Sequence, residues 1–222
     1  MQGVKIMPTA IADKPQGLRV PFANGVSASK LQQYVTVEEY LRREEIATEK
    51  SEYRNGEILP MPGASFPHTL LTNNVGAELY IALKKKRDCT VHSSDLKIHT
   101  PTIGTFRYPD IAVVRGEPVR YQGRTDTIQN PVVIIEVLSA STETTDRGDK
   151  LEEYQTLESL TEYVLVTQDR ARVEVYSRDS GGNWQYHSYV GLEASARLPT
   201  LDVTLTLADI YDKVTFPASD KE

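Results

Sequence analysis

The most apolar stretch of the chain is a run of β-branched and aliphatic residues that contains a single carboxylate. Residues 131–138 read Pro-Val-Val-Ile-Ile-Glu-Val-Leu. Apolar side chains at consecutive positions are typical of a strand that is covered on both faces. Glu136 lies inside this run, and burying an unpaired carboxylate is costly. We therefore expect a cation, a hydrogen-bond donor or a raised pKa at Glu136. A glutamate that is ion-paired for structural reasons alone is the alternative.

The remaining hydrophobic pattern predicts helices and strands on both sides of this central strand. Strands are predicted where β-branched and aromatic residues cluster or alternate with polar ones, at 90–99, 108–114, 163–166, 172–176 and 184–189. Asn55-Gly56 predicts a two-residue turn in a hairpin over 51–61, because both residues tolerate positive φ. Cap residues and apolar periodicity predict helices at 36–48, 65–87, 148–158 and 207–214.

The order of these elements predicts a mixed α/β (α+β) fold. One mixed β-sheet is flanked by helices, with an N-terminal helix and a β-hairpin as an extension. Residues 1–33 carry prolines, glycines and serines without a sustained period, and we expect an irregular arm there. Residues 34–214 form one predicted domain, followed by a tail over 215–222.

Composition narrows the class of protein. The chain has 222 residues, a net charge of −6 and one cysteine, Cys89. One cysteine excludes an internal disulfide and a cysteine zinc site. The acidic charge weighs against high-affinity nonspecific binding of DNA. No apolar run reaches membrane-spanning length and the N-terminus lacks a signal-type pattern, so we expect a cytoplasmic protein that does not enter membranes.

Two acidic residues and a lysine are the candidates for chemistry. Asp110 follows Pro109 at the beginning of its predicted strand, where its carboxylate can point at the same sheet edge as Glu136. Lys150 lies early in the predicted helix that follows the central strand, and the start of that helix is expected beside the strand's end.

Pro109-Asp110 and Glu136 resemble the motif of the PD-(D/E)XK nuclease superfamily, which has the restriction-endonuclease-like fold. In that motif a lysine follows the second acid by two residues, whereas this chain has Leu138 there and Lys150 on the next helix. The chain also resembles the Uma-two family of restriction endonucleases over 34–214. The matching blocks are Asn55–Ile58, Met61–Ser65 with His68, Ser94–Lys97, Tyr108–Asp110, Glu136–Ser139, Asp146–Tyr154 and Glu162–Val166.

This resemblance implies a Mg²⁺-dependent endonuclease, with Mn²⁺ as an alternative ion, that acts on DNA as a homodimer. Asp110 and Glu136 would bind the metal with a backbone carbonyl near Val137, and Lys150 would orient or help deprotonate the attacking water and offset phosphate charge. The resemblance also implies supporting roles, for which the candidates are Glu57, His68, Asp95 and Tyr154. The alternative for each of them is a polar group that is satisfied by hydrogen bonds and binds no ligand. Asp95 and Lys97 are predicted on one face of a strand.

Two other functions compete with the nuclease. Leu138 at the superfamily's lysine position favours a catalytically inactive nuclease-fold module for binding or assembly, whereas Asp110, Glu136 and Lys150 disfavour it. A sugar hydrolase with paired carboxylates is the third possibility, but the lysine suits phosphate chemistry better. DNA binding would require a local basic rim, for which the candidates are Lys84 to Arg87, Arg107, Arg115, Arg120 and Arg124.

Overall fold

The computed structural model describes residues 34–217. The predicted arm over 1–33 and residues 218–222 of the predicted tail lie outside the described residues. The helices are α1 (Val37–Glu44), α2 (Phe66–Leu83), α3 (Glu143–Arg147), α4 (Asp149–Gln155) and α5 (Leu207–Ile210). The strands are β1 (Ser51–Arg54), β2 (Glu57–Pro60), β3 (Cys89–Ser93), β4 (Lys97–Thr100), β5 (Thr105–Arg107), β6 (Ile111–Arg115), β7 (Thr127–Ile128), β8 (Pro131–Val137), β9 (Glu162–Val166), β10 (Arg172–Arg178), β11 (Trp184–Val190), β12 (Ser195–Leu198) and β13 (Val203–Thr206).

The central strand β8 lies inside a six-stranded mixed sheet with the order β11-β10-β9-β8-β6-β3. β8 and β9 are parallel, and the other pairs are antiparallel. Val133, Ile135 and Val137 of β8 pack in the same core as α2, whereas Ile134 and Leu138 pack with residues of α4 and the segment after it. Both faces of β8 are therefore buried, as the consecutive apolar residues predict.

The alternation of side chains along β8 determines which face of the sheet the Glu136 side chain lies on. Side chains two residues apart share a face of a strand, so Glu136 faces the same side as Ile134 and Leu138. That is the side on which α4 packs, with Tyr154 and Leu157 in the same cluster. The carboxylate is thus directed toward the helix that carries Lys150.

A second sheet is built from short strands in the order β2-β1-β5-β4-β7. The predicted hairpin forms β1 and β2, and its turn residues Asn55 and Gly56 have φ of 50° and 87°. Tyr40 of α1 packs on this sheet beside Tyr53 and Phe106, with ring centroids 5.0 and 5.6 Å away. The predicted hairpin is therefore part of a second, five-stranded sheet, which packs against α1 through an aromatic cluster.

Several predicted elements are divided or shortened in the structure. The predicted strand over 90–99 is two strands, because β3 pairs with β6 in the six-stranded sheet and β4 pairs with β5 and β7 in the other. Asp95 lies in the turn between them, so it does not share a strand face with Lys97. The helices predicted to end near residues 48, 158 and 214 end at Glu44, Gln155 and Ile210.

No helix within residues 34–217 is both long enough and apolar enough to span a membrane.

Candidate active site

The two predicted carboxylates lie side by side where β6 begins and β8 ends. The antiparallel register that pairs Ile111 with Ile135 brings the residue before β6, Asp110, beside Glu136. The backbone N–H of Val137 donates to Asp110 Oδ2 at 2.7 Å, and the N–H of Asp110 lies 3.4 Å from Glu136 Oε2. The sheet register therefore sets both carboxylates on one edge, as the sequence predicts.

Lys150 joins this pair from the first turn of α4. Its Nζ lies 3.0 Å from Glu136 Oε1, 2.9 Å from Asp146 Oδ1 and 3.8 Å from Glu52 Oε1. Glu136 is 3% exposed and Lys150 7% exposed. The ammonium group is thus shared between three carboxylates from α3, β8 and β1.

Burial and the neighbouring charges shift the pKa values of both Glu136 and Lys150. Burial raises the pKa of Glu136 well above its usual value, the Lys150 ammonium opposes this shift, and the carboxylates of Asp146 and Asp110 add to it. Burial acts to lower the pKa of Lys150, but the charges of Glu136, Glu52 and Asp146 outweigh it and raise that pKa. Lys150 is therefore an ammonium ion at neutral pH, which suits charge stabilisation better than proton abstraction.

Two of the predicted supporting residues contact the same cluster. His68, in the first turn of α2, places Nε2 at 3.3 Å from Asp110 Oδ2. Burial acts to lower the pKa of His68, but the hydrogen bond and charge of Asp110 outweigh it and raise that pKa. The hydroxyl of Tyr154, one turn after Lys150, lies 3.4 Å from Glu136 Oε1.

An ion-pair network lies behind Lys150. The Arg107 guanidinium is 1% exposed; it donates to Glu52 at 2.7 Å and to both carboxylate oxygens of Glu153 at 2.8 Å. Arg54 Nε lies 3.0 Å from Glu153. Glu52 was not predicted as a site residue, because a glutamate in a four-residue polar strand has no distinguishing pattern. Asp146 was not predicted to contact the site either, although its spacing of four residues from Lys150 is visible in the sequence.

These groups open onto a cleft of about 980 Å³. Its walls include hydroxyl and amide side chains of α2 and of the segment after β8, at Ser65, Thr69, Thr72, Asn73, Ser139, Ser141 and Thr142. Asp110, Glu136, Asp146, Lys150 and His68 all line it.

Two other predicted residues, Glu57 and Asp95, do not line this cleft. Glu57 is exposed on β2, and the exposed Asp95 pairs with Lys50 at the cleft's edge. The residues of the predicted basic rim are not among those that line the cleft: Arg107 is buried, and Arg124 pairs with Asp126 and Glu45. Lys84–Arg87 follow the C-terminus of α2, whereas the cleft lies at its N-terminus. Among the described residues, the lysines and arginines that line the cleft are Lys50 and Lys150.

The donor set suits a hard divalent cation that keeps several water ligands. Mg²⁺ is commonly bound through one or two carboxylates, and Asp110 and Glu136 provide two on one edge. Within residues 34–217, no group of three or more His, Cys, Asp or Glu side chains is placed as a metal-ligand cluster. Acidic side chains also outnumber basic ones around Lys150, and a cation would offset this excess.

The six-stranded mixed sheet with helices on both faces defines the class of fold as restriction-endonuclease-like, and the paired carboxylates lie beside a lysine at one edge of this sheet. A crystal structure from Anabaena variabilis ATCC 29413, described as a "putative nuclease belonging to DUF820", is similar to this chain with a TM-score of 0.66 and 18% identity. The match covers 82% of this chain and 99% of that one. At this identity the similarity shows the fold, and it confirms the predicted fold class.

The family model Uma2, described as "Putative restriction endonuclease", matches residues 37–208, and the chain belongs to this family. Two proteins of Synechocystis sp. PCC 6803 are similar to it, each described as an uncharacterized protein. One, sll1609, is 36% identical over 160 residues, which cover 72% of this chain and 90% of the relative. The other, slr1290, is 34% identical over 171 residues, which cover 77% and 87%.

Proposed function

We propose that the protein is a Mg²⁺-dependent endonuclease that hydrolyses phosphodiester bonds in DNA. The observation that carries the proposal is the convergence of Asp110, Glu136 and Lys150 at one cleft. Family membership and the nuclease fold support the same class of reaction. In metal-assisted phosphodiester hydrolysis, paired carboxylates can hold the metal ion and an ammonium group can stabilise the charge on the phosphate.

Each residue of the cluster then has a distinct role. Asp110 and Glu136 would hold Mg²⁺ or Mn²⁺ with the carbonyl of Val137, and the ion, when bound, supplies a Lewis acid and a more acidic water. The Lys150 ammonium offsets negative charge on the phosphate and orients the attacking water. Tyr154 holds the Glu136 carboxylate in place from the helix side.

Cleavage of plasmid and oligonucleotide DNA with Mg²⁺, Mn²⁺ or EDTA tests this proposal, with RNA of the same sequences alongside. We expect metal-dependent cleavage by the wild-type protein and a loss of at least about 100-fold in Asp110→Asn, because one of two metal-binding carboxylates is removed. Asp202→Asn is the control, since Asp202 is exposed and its left-handed backbone tolerates asparagine.

Retained cleavage by Asp110→Asn would overturn the residue assignment. A folded wild-type protein that cleaves neither DNA nor RNA would favour the inactive binding module, for which Leu138 at the superfamily's lysine position already argues. Cleavage of RNA alone would change the substrate and keep the chemistry.

The homodimer belongs to the same proposal. A dimer supplies two active sites for the two cuts in a duplex, and it would bring together the cleft lysines of two domains, since Lys50 and Lys150 are the lysines that line the cleft of one described domain. Light scattering of the full chain, with and without DNA, measures the oligomeric state. A strictly monomeric protein that cuts both strands would contradict the dimer.

A further inference from the structure

Lys150 is held by a carboxylate that the proposed metal site does not use. Asp146 Oδ1 lies 2.9 Å from Lys150 Nζ, which is the shortest of the three carboxylate contacts of this ammonium group. Asp146 lines the cleft and is 2% exposed. Its backbone carbonyl accepts a hydrogen bond of 2.9 Å from the hydroxyl of Tyr163 on β9, so the residue is anchored to the central sheet.

A lysine on a helix needs such an anchor more than a lysine on a strand. The ammonium group sits at the end of a flexible four-carbon stem, and ordering that stem costs rotamer entropy. A carboxylate that bonds the ammonium from a fixed position selects one of its conformers. Asp146 is four residues before Lys150, and the contact spans the break at Gly148 between α3 and α4.

Glu136 is unsuited to anchor Lys150 during the proposed reaction. It is the second contact of the ammonium group at 3.0 Å, but the proposed function assigns its carboxylate to the metal. Glu52 lies farther away at 3.8 Å and already accepts from Arg107 at 2.7 Å. Asp146 therefore has the closest carboxylate whose contacts are with Lys150 rather than with the metal or with Arg107.

We propose that Asp146 is the positioning residue for Lys150: it keeps the ammonium group at the wall of the cleft beside Asp110 and Glu136. Asp146 acts through Lys150 and contacts neither metal nor substrate. The catalytic part of this inference rests on the proposed function, whereas the anchoring of Lys150 is a property of the protein that is measurable without any reaction.

The first test measures how accessible the Lys150 amine is. Wild-type protein, Asp146→Asn and Asp146→Ser are treated with formaldehyde and borohydride, and dimethylation of each lysine is followed by mass spectrometry. Lys97, which is buried and paired with Asp126 at 2.9 Å, is the internal reference. We expect Lys150 to be labelled about tenfold faster in Asp146→Asn, because the ion pair between Asp146 and Lys150 is lost, and faster still in Asp146→Ser.

Asp149→Asn is the matched control, because Asp149 is next to Lys150 in sequence but pairs with Arg54. Labelling of Lys150 in this variant is expected to stay at the wild-type rate. Thermal unfolding of each variant identifies any that fails to fold. If one Asp146 variant does not fold, the labelling rate of Lys150 in the other Asp146 variant tests the proposal. An unchanged Lys150 labelling rate in the folded Asp146 variants would overturn the proposal, and so would equal acceleration in Asp149→Asn.

The second test is a double-mutant cycle on single-turnover cleavage in Mg²⁺. We expect Asp146→Asn to slow cleavage about tenfold in the wild-type background and to have no further effect in Lys150→Met. DNA affinity in Ca²⁺ is expected to stay unchanged. If Asp146→Asn slowed cleavage by the same factor in the Lys150→Met background, the proposal that Asp146 acts through Lys150 would be overturned. If the wild-type protein cleaves nothing while labelling responds as expected, the nuclease proposal fails and the anchoring of Lys150 stands.

Discussion

His99 is a buried titratable residue of the second sheet. Its ring lies 4.4 Å from that of Tyr121 and 4.5 Å from that of Phe106, and Nδ1 is 3.0 Å from the side-chain amide of Gln129. Burial lowers the pKa of His99 to about 4. The neutral imidazole, which accepts from the amide, is therefore the form that the folded protein holds.

Acidification is expected to destabilise the protein through His99. His99 has a pKa of 6.5 in the unfolded chain and of about 4 in the folded protein. Its contribution to the free energy of unfolding is therefore fully present above pH 6.5, and it is lost as the pH falls from 6.5 towards 4. Between pH 7.5 and 5.0 the wild-type protein should lose about 2 kcal/mol more than His99→Gln in urea unfolding. The exposed His187 gives the control His187→Gln, which should behave like wild type. Equal pH dependence in wild type and His99→Gln would refute the prediction.

The residues of the candidate site differ in how readily they can be predicted from the sequence. Glu136 stands out because a charge inside an apolar strand requires a partner, and Lys150 and Tyr154 are found beside it. Glu52 is also buried, but its burial depends on Arg107, which is 55 residues away along the chain. Pairings of this kind depend on the packing of two sheets, and no local pattern encodes them.

At the scale of elements, α2 connects the core to the cleft. Leu71, Val75, Leu79 and Leu83 bury one side of the helix, while Ser65 and His68 at its start line the cleft. The Ser65 hydroxyl accepts from the N–H of His68 at 3.3 Å and hydrogen-bonds Gln168 at 3.1 Å. This cap fixes both the first turn and the position of His68.

Removing the cap is expected to loosen that turn. Ser65→Ala should lower the free energy of unfolding by about 1 kcal/mol, because the N–H of His68 loses its acceptor. Ser65→Asp, which retains an acceptor at a helix N-terminus, should come close to wild type. Thr69→Ala is the control in the same turn, since its exposed hydroxyl bonds only the carbonyl of Phe66. Urea unfolding measures all three, and a Ser65→Ala protein as stable as wild type would contradict the prediction.

Caps and turns were predictable because they depend on neighbouring residues. Thr36 and Ser65 are N-caps and Asn55-Gly56 forms its turn, all as the sequence predicts. The division of the strand predicted over 90–99 into β3 and β4 was not predicted. β-branched residues favour an extended backbone, but they do not indicate which strand it pairs with. β3 and β4 pair with different distant strands, which no local pattern indicates, and β12 and β13 were missed for the same lack of a local pattern.

At the scale of the whole molecule, buried ion pairs join the second sheet to the helix that carries Lys150. Arg107 comes from β5, Glu52 from β1 and Glu153 from α4. Glu52 also accepts from the N–H of Tyr108, two residues before Asp110. The network therefore links the hairpin extension, the start of β6 and α4, and so connects the two sheets around the candidate site.

Removing the cation at the centre of this network should be far more damaging than removing an exposed one. Arg107→Met is expected to destabilise the protein by about 3–5 kcal/mol, because Glu52 and Glu153 are left buried without their partner. Arg197→Met is the control, since Arg197 is 67% exposed and pairs weakly at 3.9 Å. Adding Glu52→Gln and Glu153→Gln to Arg107→Met should recover part of the loss, because the uncompensated charges are then gone. Urea unfolding followed by Trp184 fluorescence measures each variant. A loss below about 1 kcal/mol in Arg107→Met would mean that the sheets are held by their apolar cores and not by this network.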